Sequence, residues 1–230
     1  VGIKIFGALI GFGFCAFSLA AIILEYWRGV SARHRRGESY PVALSKLVSR
    51  NRRRYGGYLV HIGVLLVAIG IIGSRLYQVE TQKNLAIGES MTISSELLGT
   101  YEITYHGLQE SPSPDDRLIT TATLSISHNG QPAGQLFPYR EYFVVQQQPM
   151  TIPDKRSTLA DDLYIIIGGW ENQGETATFQ AYINPLVNWI WIGGFVFIIG
   201  TLIAGWPTPQ ERHVSAAVRA TLPGSTVPAK

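Results

Sequence analysis

Cysteine is almost absent from this sequence of 230 residues, which contains only Cys15. A lone thiol can form neither an intrachain disulfide nor a CxxC redox pair, so both kinds of site are excluded within the chain. Cys15 lies in an apolar segment, where we interpret it as a small polarizable packing residue. The sequence also lacks GxSxG, HExxH and glycine-rich phosphate-loop patterns, so it offers none of the catalytic sites that these motifs define.

Charged residues are also scarce, at 15% of the chain, compared with about 25% in soluble domains. The scarcity is local, because residues 5–24, 56–74 and 186–206 are almost free of charge. Each of these segments is long enough to cross about 30 Å of hydrocarbon at about 1.5 Å per residue. The sequence therefore predicts an integral membrane protein with three α-helical spans.

These spans divide the chain into six predicted segments. They are transmembrane helices at 1–27, 56–75 and 186–206, a basic cytoplasmic loop at 28–55, a β-rich domain at 76–185 and a disordered cytoplasmic tail at 207–230. The chain has no initiator methionine, and no small-residue cleavage site follows the first span. We therefore expect that the first span is not a signal peptide and that the chain begins inside a longer protein.

Positive charge is concentrated in the loop between the first two spans. Its basic residues are Arg28, Arg33, Arg35, Arg36, Lys46, Arg50, Arg52, Arg53 and Arg54. Such an excess marks the cytoplasmic side of a membrane protein, which places the β-rich domain on the outer side. We expect the loop to contact anionic lipid headgroups, with residues 41–48 forming a short amphipathic helix along the membrane surface.

The segment between the second and third spans is rich in β-branched and aromatic residues that alternate with polar ones, which is typical of strands. Strands are predicted at residues 91–94, 101–105, 121–126, 142–145, 163–167 and 179–183, with a loop at 111–116. Asn129-Gly130 is typical of a tight hairpin turn, and we interpret Asp161-Asp162 as a solvated turn. Six or seven short strands predict a small antiparallel barrel or sandwich. Its acidic excess argues against nucleic-acid binding.

One ionisable residue, His61, lies inside the second span. It is seven residues beyond Arg54, or about 10 Å along a helix, so its imidazole lies within hydrocarbon. Ionisable groups at such depth are rare and usually functional, and a neutral imidazole can be an axial ligand of haem iron. Gly57 and Ala68, on the same helical face, would leave room for a flat macrocycle. The alternative is that His61 donates a hydrogen bond to a neighbouring helix.

The other histidines do not complete a bis-histidine pair. We expect His34 and His213 in cytoplasmic segments and His106 and His128 on the surface of the β-rich domain. A second axial ligand would therefore come from outside this sequence.

Several segments, in order along the chain, resemble the CcmF family of bacterial cytochrome c haem lyases, which includes the NrfE proteins of nitrite reductase maturation. The matching segments are NRRRYGGYLVH at 51–61, FPYREY at 137–142, LY at 163–164, NPLVNWIWIGG at 184–194 and WP at 206–207. The resemblance rests on their combination, since no single segment is specific.

The resemblance implies a multi-span protein of the bacterial inner membrane with a periplasmic domain. Family members take haem from a CcmE-like haem chaperone and join its vinyl groups to the CxxCH thiols of an apocytochrome c held by a CcmH-type subunit. They also hold a permanent haem b within the membrane, and one of its axial histidines lies in the motif that matches His61. The resemblance thus implies haem b as the cofactor and His61 as its iron ligand.

The sequence departs from the family in one respect, because the tryptophan-rich WWD segment and its two flanking histidines are missing. Trp189 and Trp191 do not replace it, since they are typical of interfacial anchors. We therefore expect the chain to be the C-terminal part of a haem lyase, to work with the remaining N-terminal part, and to be inactive alone. The alternatives are a membrane-tethered periplasmic partner-binding module without cofactor and a haem b anchor in a quinol pathway.

Overall fold

The computed structural model describes residues 2–113 and 117–207. Its helices are α1 (Gly2–His34), α2 (Tyr40–Arg50), α3 (Arg52–Leu76) and α4 (Asn188–Gly205). The predicted disordered tail, except for Pro207, lies outside the described residues. The chain divides into two compact units, one with Val1–Gly11 and Ile69–Ile190, the other with residues 12–68 and those from Trp191 onward.

Three helices have the length and apolarity of membrane spans. They are Phe6–His34, Arg52–Leu76 and Asn188–Gly205, with mean hydropathies of 2.3, 2.1 and 1.7. Large apolar side chains remain exposed on them, such as Phe17 at 76% and Leu202 at 64%. Exposure of this kind suits a lipid environment, where apolar side chains need no protein partner. The predicted three-span membrane fold is confirmed, although helix α1 continues to His34, beyond the predicted span end at residue 27.

Helix α2 forms where the amphipathic pattern predicts it. Pro41 stands in its first turn, where a missing backbone N–H has no consequence and the fixed φ suits a helix. One face of the helix buries Ala43 and Leu47 in a small cluster with Val30 of α1 and Tyr55 of α3. Its other faces stay exposed.

Ten antiparallel strands form the β domain in the described part of the chain. They are β1 (Val79–Ala86), β2 (Ser90–Ser95), β3 (Gly99–Ser113), β4 (Arg117–His128), β5 (Gln131–Leu136), β6 (Tyr139–Phe143), β7 (Gln148–Ile152), β8 (Asp154–Ser157), β9 (Asp161–Glu171) and β10 (Thr176–Pro185). One sheet has the order β1-β10-β9-β8, and the other has the order β2-β3-β4-β6-β7 with β5 also paired to β4. The predicted antiparallel sandwich is confirmed.

The core of the sandwich follows from strict alternation along the strands. In β10, Ala177, Phe179, Ala181 and Ile183 are at most 1% exposed, while the residues between them are partly exposed. A period of two sends alternate side chains to one face of a strand. The same alternation in β4 supplies the opposing wall of the core.

The local predictions within this domain have mixed outcomes. The Asn129-Gly130 turn is confirmed, because both residues have positive φ, of 51° and 78°, between β4 and β5. Of the loop predicted at 111–116, residues 111–113 instead extend β3, because they pair with residues 117–119 of β4, and residues 114–116 lie outside the described residues. The predicted six or seven strands are too few, since β1, β5, β7 and β8 are short segments without an alternating buried stripe.

Candidate functional site

Helix α3 carries a glycine at every seventh residue, at Gly56, Gly63 and Gly70. This spacing keeps all three on nearly the same face of a helix. A Cβ at Gly56 would lie 2.6 Å from the backbone nitrogen of Ala204, and one at Gly63 would lie 2.5 Å from that of Phe197. The glycines therefore let the backbones of α3 and α4 approach closely, as small residues do between membrane helices.

This glycine seam, Gly56, Gly63 and Gly70, fixes the direction of His61. The histidine is five residues beyond Gly56, which is about 140° around the helix, so it lies on the face turned away from α4. Its side chain is exposed, as is that of Val64 on the next turn, at 47%. No described residue forms a hydrogen bond with the imidazole. The described residues thus give no support to the hydrogen-bond alternative.

The surface beside His61 fits a flat macrocycle. Helical side chains lean toward the helix N-terminus, so the imidazole leans over the turn that contains Gly57. A Cβ at Gly57 would meet no heavy atom within 4 Å. An unpartnered imidazole above an open glycine surface, within an apolar span, is an arrangement that can bind haem iron. No group of three or more metal-ligating side chains occurs among the described residues.

The remaining described histidines have structural contacts. The His34 ring stacks on Tyr40 with centroids 4.0 Å apart and lies 2.8 Å from the Glu38 carbonyl oxygen. The His128 ring stacks on buried Tyr101 at 4.2 Å, so it is not the plain surface residue that the sequence suggested. His106 is exposed and bonds the Ser125 hydroxyl, and His213 lies outside the described residues.

The acidic pair Asp161 and Asp162 corrects a prediction. Both side chains are buried, at 3% and 6% exposure, rather than forming a solvated turn. The Tyr101 hydroxyl donates to Asp161 at 3.0 Å and the Thr158 hydroxyl donates to it at 2.7 Å. Buried carboxylates need such donors, because an unpaired charge in an apolar interior is strongly unfavourable. The sequence carried no signal of this burial, since the donors lie far away in the chain or in a loop.

Tyr101 is held in its neutral form by this arrangement. Burial, and secondly the charge of the Asp161 carboxylate, raise the pKa of the Tyr101 phenol to about 12. The Arg156 guanidinium donates to the same hydroxyl at 3.2 Å and opposes the shift only in part. The phenol therefore serves as a hydrogen-bond donor at neutral pH and completes a structural network.

A short loop, residues 158–160, joins the sandwich to the first turn of α4. The Asn188 amide donates to the Thr158 carbonyl at 2.5 Å and to the Asp162 carboxylate at 2.9 Å. The Trp189 indole donates to the Leu159 carbonyl at 2.9 Å. Sequence reasoning missed this junction, although an amide side chain at the start of an apolar span was a faint signal of it.

The backbone at the junction also departs from expectation. The third span was predicted to begin at residue 186, but α4 begins at Asn188, after Pro185 ends β10 opposite Asp161. Leu186 then has a φ of 58°, a left-handed conformation that is strained for a leucine. Its N–H donates to the Ala160 carbonyl at 2.8 Å, so loop 158–160 holds the turn from strand into helix.

The fold defines a class of protein, a multi-span membrane protein with a curled antiparallel β sandwich between its second and third described spans. Residues 76–185 match the family model described as the CcmF C-terminal beta-sandwich. A solved structure titled cytochrome c heme lyase CcmF superposes with a TM-score of 0.67 at 25% identity, over 87% of this chain and 31% of that chain.

Curated relatives agree with this match. The chain is 30% identical over 185 residues to the cytochrome c-type biogenesis protein CcmF of Haemophilus influenzae, covering 80% of this chain and 27% of the relative. It is 29% identical over 166 residues to the probable cytochrome c-type biogenesis protein NrfE of Escherichia coli, covering 72% and 29%. The chain belongs to the CcmF family and corresponds to the C-terminal portion of its members. It spans less than a third of the length of these relatives.

Proposed function

We propose that this chain is the C-terminal part of a cytochrome c haem lyase and takes part in cytochrome c maturation. The names of its relatives support a role in cytochrome c biogenesis. The observation that carries the proposal is the outward-facing, unpartnered His61 within an apolar span. An imidazole there is unfavourable unless it gains a partner that lipid cannot provide.

In this proposal His61 is an axial ligand of haem b. When bound, haem b would supply one-electron redox chemistry inside the membrane. The chain's own contribution is to hold the imidazole at a fixed height and direction, because the glycine seam fixes the rotation of α3 against α4. Gly57 keeps the adjacent surface open. The second axial ligand would come from the remaining N-terminal part of the protein.

The β domain is proposed to recruit partners on the periplasmic side of the bacterial inner membrane. Its exposed carboxylates include Glu80, Glu89, Glu96, Glu102, Glu110, Glu171 and Glu175. A negative surface attracts basic partners and accelerates their association. We propose an apocytochrome c, a CcmE-like haem chaperone or a CcmH-type subunit as the partners, with the domain holding them close to the membrane.

The test is an absorption spectrum of the purified full-length protein with His61→Ala. The proposal predicts loss of the b-type haem spectrum, because the substitution removes an iron ligand. His106→Ala is the matched control, since His106 is exposed on the β domain, and its spectrum should equal the wild type. An unchanged b-type spectrum in His61→Ala would refute the assignment. A wild-type protein without haem absorbance would instead favour a partner-binding module that lacks a cofactor.

A further inference from the structure

Helix α2 lies at the level where the first span ends. Its Leu47 side chain reaches Gly29 of α1, where a Cβ would lie 2.7 Å from Leu47 Cδ2. The Tyr40 ring of α2 stacks on the Trp27 ring of α1, with centroids 6.1 Å apart. Tryptophan at the end of a span is typical of the membrane interface. These contacts place α2 beside the interface rather than deep in an aqueous compartment.

An apolar strip faces outward at this level. It consists of Trp27, Tyr40 and Leu44, which are 58%, 46% and 43% exposed. Tyr40 and Leu44 are one turn apart on α2 and lie on the same side of the helix. Large apolar side chains in a row, next to an interfacial tryptophan, are suited to insertion among the upper parts of lipid chains.

The acidic residues near this helix are already neutralised. The Glu38 carboxylate accepts hydrogen bonds from Lys46 Nζ at 2.9 Å and from Arg33 Nη1 at 3.2 Å. The Lys46 hydrogen bond is the main cause that lowers the pKa of Glu38, and Arg33 adds to it. Glu25 likewise accepts a hydrogen bond from Arg54 Nη2 at 2.7 Å and forms an ion pair with Arg28 Nη1 at 3.6 Å. Neither carboxylate is left to balance further arginines.

Three arginines at the two ends of α2 have no side-chain partner among the described residues. Arg35 and Arg36 stand in the turn before α2, and Arg50 is the last residue of α2. All three are exposed. The helix between them has 11 residues, or about 16 Å, so the unpaired charges stand at both of its ends. Guanidinium groups pair with phosphate oxygens through two parallel hydrogen bonds.

We propose that α2 is an interfacial helix that binds anionic phospholipid headgroups through Arg35, Arg36 and Arg50, with Trp27, Tyr40 and Leu44 inserted beside them. Contacts at both ends hold the helix along the membrane plane. Because Leu47 packs on Tyr55 at the start of α3, lipid binding there also stabilises the helix that carries His61. The inference depends on the three-span fold and not on haem.

The test compares the full-length protein in nanodiscs of phosphatidylcholine with nanodiscs that also contain phosphatidylglycerol. Phosphatidylglycerol should raise the Tm of the wild type and should be retained in native mass spectra. The triple variant R35Q/R36Q/R50Q should lose this rise in Tm and retain fewer anionic lipids. The matched variant R35K/R36K/R50K keeps the charge and should keep most of the rise.

Two results would overturn the proposal. One is a wild-type Tm that does not depend on phosphatidylglycerol, a comparison that needs no variant to fold. The other is a glutamine variant that responds to the lipid as strongly as the wild type. Inorganic phosphate added to phosphatidylcholine nanodiscs separates a lipid site from a general anion site. An equal rise in Tm with phosphate alone would contradict the lipid assignment.

Discussion

At the residue scale, two polar groups in apolar surroundings differ in how they are satisfied. Asp161 is buried in the sandwich, and hydroxyl groups of Tyr101 and Thr158 donate to it. His61 lies in an apolar span without a hydrogen bond from any described residue. A buried polar group that is hydrogen-bonded stabilises the fold, whereas an ionisable group within a membrane span that has no protein partner points to a ligand. This difference makes His61 the candidate site and Asp161 part of the scaffold.

The raised pKa of Tyr101 gives a prediction for alkaline pH. The Tyr101 phenol has a pKa near 10 when unfolded and about 12 when folded, so it stays protonated to a higher pH in the folded state. Its contribution to stability is therefore complete below pH 10 and is lost as the pH rises through about 12. In Tyr101→Phe, Asp161 loses a donor, which should cost about 1–3 kcal/mol at neutral pH.

The measurement is the unfolding free energy of the full-length protein between neutral pH and pH 12. The difference between wild type and Tyr101→Phe should shrink above pH 10. Tyr142→Phe is the control, because Tyr142 is 40% exposed, and its difference from wild type should stay small at every pH. A Tyr101→Phe difference that is constant with pH would contradict the network.

At the residue scale, the sequence could identify His61 but not the junction. An ionisable residue among apolar neighbours is visible from the sequence alone. Asp161 and Asp162 looked solvated because the groups that bury them, Tyr101 and Asn188, are brought there only by tertiary contacts. Burial of a polar pair is a property of the folded chain, so no local pattern shows it.

At the element scale, the packing of α3 against α4 depends on glycines from both helices. In α4, a Cβ at Gly193 would lie 2.7 Å from the Gly63 carbonyl oxygen and from the Val67 nitrogen. A Cβ at the next residue, Gly194, would meet no heavy atom within 4 Å. Of these two adjacent glycines in α4, Gly193 therefore lies in the interface with α3 and Gly194 does not.

This pair gives a matched prediction. Gly193→Ala should destabilise the protein by about 1–3 kcal/mol, because the backbones must separate to admit a methyl group. Gly194→Ala should not destabilise the protein and should raise its stability by up to about 1 kcal/mol, because alanine favours a helix more than glycine does. Thermal unfolding of the full-length protein in detergent measures both variants. Equal effects at the two positions would show that the close approach of α3 and α4 is not a determinant of stability.

The elements themselves were predictable to different degrees. The three spans follow from composition, and helix α2 follows from apolar residues spaced by one turn. Strands with a buried stripe, such as β4 and β10, were visible because their apolar residues alternate. The edge strand β8, Asp154–Ser157, has no apolar residue, and it is held in place by pairing with β9 and by polar contacts such as that of Arg156 with the Tyr101 hydroxyl. Such strands depend on tertiary context rather than on their own sequence.

At the scale of the whole molecule, the chain has two compact units, one that contains the β sandwich and one that contains His61. The sandwich is tied to the first turn of α4 through Asn188 and Trp189. Within the unit that carries His61, α4 packs on α3 at Gly56 and Gly63, and His61 is exposed. Membership of the CcmF family agrees with a site that other parts of a longer protein would complete. The central claim is that the His61 imidazole ligates haem iron.

The most direct measurement of that claim is the reduced-minus-oxidised absorption spectrum of full-length His61→Gly, recorded with and without added imidazole. Ligation predicts that the b-type signal is lost in the variant and restored by imidazole, which can occupy the vacated position beside Gly57. Restoration would also show that the variant remains folded. A b-type signal of wild-type strength in His61→Gly without imidazole would contradict the claim.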